Sequence, residues 1–189
     1  MCGIVGLYLK KEYAEIELYK DLGIAGKKLV GLIRTLLLKR MESSLEAFKQ
    51  SIRHYINTHK IFLALLDEHI IPIGDVSYKA MYDIAQSDPD SINDPETIEE
   101  FRKKIQEAGE TKYKFEAFDV KKLILDIKND IEAFESIDGL IHRLTWKTDD
   151  KLHRLQKLLD TDYTGEKVLI FSEFATTTKD LNDYLKWKG

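Results

Sequence analysis

The stretch LVGLIRTLLLKRMESSLEAFKQSIRHYI, residues 29–56, decides how the rest of the chain is read. Leu29, Ile33, Leu36, Leu37, Met41, Leu45, Phe48, Ile52 and Ile56 recur at steps of three and four. That spacing brings side chains onto one face of a helix. No proline follows until Pro72, so the pattern predicts a helix that continues through Phe62 and Leu66. About forty residues at ~1.5 Å each would span roughly 60 Å. A helix of that length must pack against others or bridge two lobes.

On the N-terminal side, Gly23 and Gly26 mark a break. Before it, Lys10 to Leu22 reads as a first helix and MCGIVGLYL, residues 1–9, as a short strand. On the C-terminal side, IPIGD (residues 71–75) interrupts the long run, and a short helix is expected around Tyr78 to Ala85. QSDPDSIN, residues 86–93, has the turn residues of a loop. Asp94 then stands as an N-cap with Pro95 at the first helical position. Glu96, Glu99 and Glu100 favour the positive end of that helix, which should run to Ala108 and stop at Gly109. A further helix is predicted from Asp119 to Phe134, with SIDG (residues 136–139) as its kink or its end.

Composition narrows the function classes. The chain has 189 residues, 43% hydrophobic and 33% charged, enough for a core and too apolar for disorder. Its single Cys, Cys2, excludes a disulfide framework and a Cys-based zinc site, and suits a reducing, cytoplasmic setting. No apolar run approaches the ~20 residues of a membrane span. The first charge, Lys10, follows the N-terminal apolar stretch rather than preceding it, unlike a signal peptide. Charge is distributed unevenly. Lys27 to Lys60 holds eight Lys and Arg against two acids, whereas Asp67 to Glu135 holds eighteen acids against nine Lys and Arg. Such polarity offers one face to nucleic acid and another to solvent or a partner, or it reflects two helical units with differently charged solvated faces.

The last forty residues change character. Thr148 is placed as an N-cap, with Leu152, Leu155, Leu158 and Leu159 as the apolar face of the helix it starts. Gly165 then turns the chain into KVLIF, residues 167–171, a continuous apolar run of the kind a strand buried on both faces requires. Thr176 to Thr178 begin a closing helix that carries Leu181, Tyr184 and Leu185. One parallel strand cannot bury itself, so the expectation is a mainly α protein of long amphipathic helices followed by a truncated α/β unit. The expected division is an N-terminal strand and helix over residues 1–25, a helical domain over 26–147 and an incomplete lobe over 148–189.

The segment DDKLHRLQKLLDTDYTGEKVLIFSEFATTTKDLNDYL, residues 149–185, resembles the opening of the second RecA-like lobe in superfamily-two helicases, most of all the Swi/Snf-like translocases. In that family a KLxxLxxLL helix precedes an apolar strand, a threonine-bearing turn and another helix. LIRTLLLKRMESSLEAFKQSI, residues 32–52, resembles the segment that leaves the first lobe, where an apolar run ends in Lys-Arg and a Ser pair. The resemblance implies an inter-lobe helical region joined to the start of a second lobe, with DNA and the remaining helicase lobes as partners. It places phosphate contacts at Ser172, Thr176 and Thr177, and adds Lys39, Arg40, Lys49 and Arg53 as basic candidates. An exposed sheet edge after KVLIF would also allow a homodimer.

The same resemblance implies ATP and magnesium for a complete parent enzyme, and no cofactor in this chain. GIAGKK, residues 23–28, has too few residues between its glycines and no hydroxyl after its Lys, so it cannot form the phosphate cradle of a GxxxxGK[ST] loop. No catalytic residue and no metal ligand is assigned. LLDEHI, residues 65–70, imitates a DExH box but lies on the wrong side of the Lys-Arg segment and continues the helical spacing, so it reads as a helix end.

Two other classes stand beside this one. A non-enzymatic helical interaction module would dock a basic partner on the acidic half. MCGIVG is similar to the start of class II glutamine amidotransferases, where an exposed Cys2 would be the nucleophile. That chemistry needs an Asn-Gly pair for its oxyanion hole, which the sequence lacks, so a small apolar Cys in a strand is the preferred reading.

Overall fold

A computed structural model describes residues 9–14, 16 and 32–188. Eight helices order the described chain: α1 (Lys11–Ala14), α2 (residues 32–43), α3 (Leu45–Asp67), α4 (Asp75–Ser87), α5 (Pro95–Glu107), α6 (Val120–Ile141), α7 (Asp150–Thr161) and α8 (Ala175–Lys188). Short 3-10 turns lie at Pro89–Asn93, Glu110–Lys112, Phe115–Ala117 and Trp146–Thr148. The protein is mainly α, as the periodicity predicts. Among the described residues there is no strand, only an isolated antiparallel bridge between Leu9 and Phe118. None of the described helices is long and apolar enough to cross a membrane. Residues 1–8, most of the predicted first helix, and the Gly23 and Gly26 break fall outside the described residues.

KVLIF departs from its pattern. Residues 166–171 have no regular secondary structure, and Leu169 and Phe171 are 83% and 88% exposed. A buried strand needs neighbours on both edges to pair its N–H and C=O groups. Among the described residues none is present, so this segment does not form the strand of an α/β unit. The sheet-edge homodimer has no basis in a structure whose described residues form no sheet.

Contacts divide the chain into two units. The first gathers the described residues up to Arg34 with Arg53–Glu135; the second gathers Thr35–Ile52 with Ser136–Gly189. This partition differs from the expected break at 147/148. The chain passes between units inside α2, inside α3 and again inside α6, which runs through SIDG and ends only at Ile141.

The predicted long helix is interrupted at one residue, Ser44. The Ser44 hydroxyl accepts the Ala47 N–H at 3.0 Å, which satisfies a free amide at the start of α3. Lys151 Nζ meanwhile donates to the Glu42 and Ser43 carbonyls at the end of α2. A cation on the last carbonyls and a hydroxyl on the first amides are what two helix ends need.

The first unit holds the large core. Ile61, Phe62, Leu65 and Leu66 of α3 are buried with Met81 of α4, with Ile98, Phe101 and Ile105 of α5, and with Leu123, Ile127 and Ile131 of α6. The LLDEHI segment is indeed a helix end, with His69 at φ 56° and Ile70 returning into the core. The helix at Pro95 also starts where predicted, with Asp94 at the N-cap position but without a side-chain cap bond, and Gly109 follows at φ 67°. QSDPDSIN is tighter than a loop, because Pro89–Asn93 winds into a 3-10 turn that buries Ile92.

The start of α4 is capped from a distance. Its N-cap, Gly74, has no side chain, and Glu110 supplies the acceptor instead. The Glu110 carboxylate accepts from Val76 N at 2.9 Å, Ser77 N at 2.7 Å and Ser77 Oγ at 2.6 Å. Partial burial pushes this carboxyl up, but the bonds from Ser77 and Val76 outweigh it and hold the group below the ordinary range. Gly74 sits at φ 138°, and a Cβ there would overlap the Glu110 carboxylate.

Glu110→Ala should therefore destabilise the fold by about 1–2 kcal/mol at pH 7, the scale of a lost helix cap. A depressed folded pKa stabilises above the ordinary carboxylate range and ceases to do so as pH falls through the depressed value. The urea midpoints of wild type and Glu110→Ala should accordingly converge in acid. Gly74→Ala should cost at least as much, about 1–3 kcal/mol, through backbone strain and displacement of the cap.

Candidate functional site

Two segments more than a hundred positions apart meet within the second unit. From α2, Lys39, Arg40 and Ser43 face the turn that leads into α8. Ser43 Oγ lies 2.7 Å from Thr177 Oγ1 and 3.4 Å from Ser172 Oγ, so three hydroxyls share one hydrogen-bonded group. Ser172 Oγ also accepts the Phe174 N–H at 3.3 Å and tightens the turn. Lys39 Nζ stands 3.7 Å from Glu173 Oε1, and the Arg40 guanidinium lies 4.8 Å from the centre of the Phe174 ring.

The seven residues singled out in the sequence are sorted by this arrangement. Lys39, Arg40, Ser172 and Thr177 are brought together. Thr176 is partly exposed in the first turn of α8, whereas Thr177 is buried. Lys49 is separated from the other cations by burial: it is 8% exposed, and its ammonium donates to the Leu144 carbonyl. A surface phosphate contact is not its position. Arg53 is exposed and belongs to the first unit. Cys2 lies outside the described residues, so the amidotransferase-like N-terminus is not described either.

Several partners were not readable from the sequence. Glu173 and Phe174 answer Lys39 and Arg40, and Lys151 holds the end of α2. The only signal for Ser43 was its place in the Ser pair after Lys-Arg. Thr148 is not the cap of α7. Asp149 is, accepting from Lys151 N and Leu152 N, while Thr148 closes a reciprocal capping box with Thr145 one turn earlier.

Asp180 anchors the far side of α8. Its Oδ1 accepts the Trp146 indole N–H at 2.9 Å, and Trp146 meets Tyr184 edge-on with ring centres 6.0 Å apart. Asp180 is 6% exposed. Burial pushes its carboxyl above the ordinary range. The Trp146 bond opposes that shift, and the carboxylates of Glu46, Asp149 and Asp183 add to it. Among the described residues, no three His, Cys, Asp or Glu side chains form a set that could hold a metal ion.

With this geometry in place, no family model, no curated protein and no solved structure was found to match the chain. The assignment of function therefore rests on the residues themselves.

Asp180→Asn keeps an oxygen for the Trp146 N–H and removes a charge that its surroundings disfavour. A carboxyl with a raised folded pKa stabilises below the ordinary carboxylate range, and that contribution is lost as pH rises through the raised value. Asp180→Asn should unfold at a higher urea midpoint than wild type at pH 7. Below about pH 4, where free Asp protonates, the two should become similar. Equal midpoints at neutral pH would contradict this account of Asp180.

Proposed function

We propose that the chain acts in a Swi/Snf-like DNA translocase, as the inter-lobe helical region joined to the opening of the second RecA-like lobe. The observation that carries the reading is the meeting of Lys39, Arg40 and Ser43 with Ser172, Glu173, Phe174 and Thr177. The two segments that resemble that family, residues 32–52 and 149–185, sit against each other. In this reading KVLIF completes a strand when neighbouring strands of the lobe are present, and Leu169 and Phe171 are then covered.

Lys39, Arg40, Ser172 and Thr176, all of the second unit, supply phosphate contacts; Arg53 is a separate basic candidate on the first unit. The chemistry suits them. The Lys39–Glu173 pair is exposed on both sides, and such pairs contribute only about 0–1 kcal/mol, so a phosphate competes readily for the ammonium. Hydroxyls at the start of a helix are good donors to phosphate oxygens. ATP and magnesium belong to the complete translocase, and the chain alone should hydrolyse no ATP above a buffer blank.

Titration with duplex DNA tests the reading. Binding should weaken steeply with salt, and Lys39→Ala or Arg40→Ala should each flatten the log–log salt slope by about 1. Lys49→Met should leave that slope unchanged and lower stability instead, because its ammonium serves the Leu144 carbonyl. No DNA binding at about 50 mM salt, where phosphate contacts are strongest, would reject the reading in favour of a helical interaction module.

A further inference from the structure

The chain contains two tryptophans, and both line one cleft in the second unit. The cleft has a volume of about 470 Å³, within the range of small-molecule sites. Its walls come from the first turns of α3, the Thr145–Asp149 turn and α8. The indoles of Trp146 and Trp187 stand 5.8 Å apart between ring centres and are inclined by 44°, forming a two-sided aromatic corner. Trp146 is fixed there by Asp180 and Tyr184. Trp187 is 55% exposed; it lies against Tyr184, with ring centres 6.2 Å apart, and the Lys188 ammonium stands 6.0 Å from its ring centre, a place a bound cation would take over.

Three carboxylates line the same space, those of Glu46, Asp149 and Asp180. Asp149 is engaged by the amides of α7, whereas Asp180 Oδ1 takes the Trp146 N–H and no hydrogen bond reaches its Oδ2 among the described residues. Two ammoniums share the lining. Lys49 donates to the Leu144 carbonyl, and neither Lys49 nor Lys147 pairs with these carboxylates within 4.0 Å among the described residues. The upward displacement of Asp180, caused by burial and then by Glu46, Asp149 and Asp183, agrees with a negative interior despite the two lysines.

We propose that this cleft binds an organic cation, a guanidinium or alkylammonium head held against Trp146 and Trp187 with the Asp180 carboxylate as its counter-charge. Tryptophan is the strongest aromatic partner for such a cation. A guanidinium also pairs with a carboxylate such as that of Asp180 through charge-assisted hydrogen bonds. An anionic ligand is disfavoured, since it would enter beside three carboxylates. The inference does not depend on DNA binding, because none of the residues assigned to phosphate contact there lines this cleft.

Because Trp146 and Trp187 are the only tryptophans, tryptophan fluorescence of the whole chain, excited at wavelengths its nine tyrosines do not absorb, reports on the cleft. The probes are Nα-acetyl-arginine amide, its lysine counterpart and tetramethylammonium, at constant ionic strength. Nα-acetyl-citrulline amide, the uncharged isostere of the first, is the control. A saturable change in emission with the arginine probe, at least tenfold weaker with citrulline, is expected. Asp180→Asn should weaken the arginine response at least tenfold while leaving circular dichroism unchanged. Trp187→Leu, at an exposed position, should weaken it as well without loss of fold. Acidification should reduce affinity as the Asp180 carboxyl, held above the ordinary range by burial, takes up its proton.

A tripeptide with a central arginine distinguishes the source of the cation. Tenfold tighter binding than the amide identifies a basic peptide, and equal binding identifies a free small cation; either outcome upholds the proposal. No saturable response to any cation would overturn it. So would equal binding of citrulline, undiminished binding by folded Asp180→Asn, or a response to inorganic triphosphate in place of the cations.

Discussion

At Ser44 two helices meet; backbone bonds from Ser44 N to Arg40 O and from Phe48 N to Ser44 O carry the ladder across, and side chains take the remaining end groups. The Ser44 hydroxyl takes an amide of α3, and the Lys151 ammonium takes carbonyls at the end of α2. The Ser44 bond is buried, where an amide left without a partner would cost about 1–3 kcal/mol, whereas the Lys151 bonds lie in solvent and contribute less. Much of the second unit depends on that requirement. Lys151 comes from the first turn of α7, so closing the end of α2 brings α7 to it. Ser43, one residue away, then lies against the hydroxyls of Ser172 and Thr177.

The two units are stabilised by different means. In the first, isoleucines, leucines and phenylalanines from three helices and Met81 and Ala85 from a fourth fill one cluster, and apolar burial dominates. In the second, the buried apolar side chains are few: Ala47, Ile52, Leu152 and Tyr184. Polar and aromatic ties take a larger share there, among them Lys49 to Leu144, Lys151 to the end of α2, and Asp180 to Trp146. Such ties are directional. They hold particular atoms at particular distances, which suits a surface that presents cations and hydroxyls together.

The helical periodicity was legible because it records an average over many residues. One apolar face over residues 29–56 predicted helix, and helix is found over 32–43 and from Leu45 to Asp67. The break between them was not legible. It depends on one serine and on a lysine more than a hundred positions later, and neither disturbs the periodicity. The Glu110 cap was hidden for the same reason, since the acceptor for α4 lies over thirty residues beyond Gly74. KVLIF failed in a different way. An apolar run specifies what a segment would do with strands beside it, and the described residues provide none.

Charge shows the same limit at the candidate site. In sequence, Lys39, Arg40, Lys49 and Arg53 are four basic residues on one amphipathic run, equally suited to phosphate. Folding makes them unequal, because a cation's availability depends on what replaces its water. Lys39 keeps most of its solvent and has an exposed glutamate that water already screens. Arg40 lies over an aromatic ring, which leaves guanidinium edges able to donate. Lys49 has given up its hydration to a backbone carbonyl, and removing it would leave that carbonyl bare. A basic residue can therefore hold the fold or meet a ligand, and burial of its charged end decides between them. The same reasoning makes Asp180 notable among thirty-three acidic residues: it is a buried carboxylate bonded to the Trp146 indole, in the lining of the cleft that both tryptophans share.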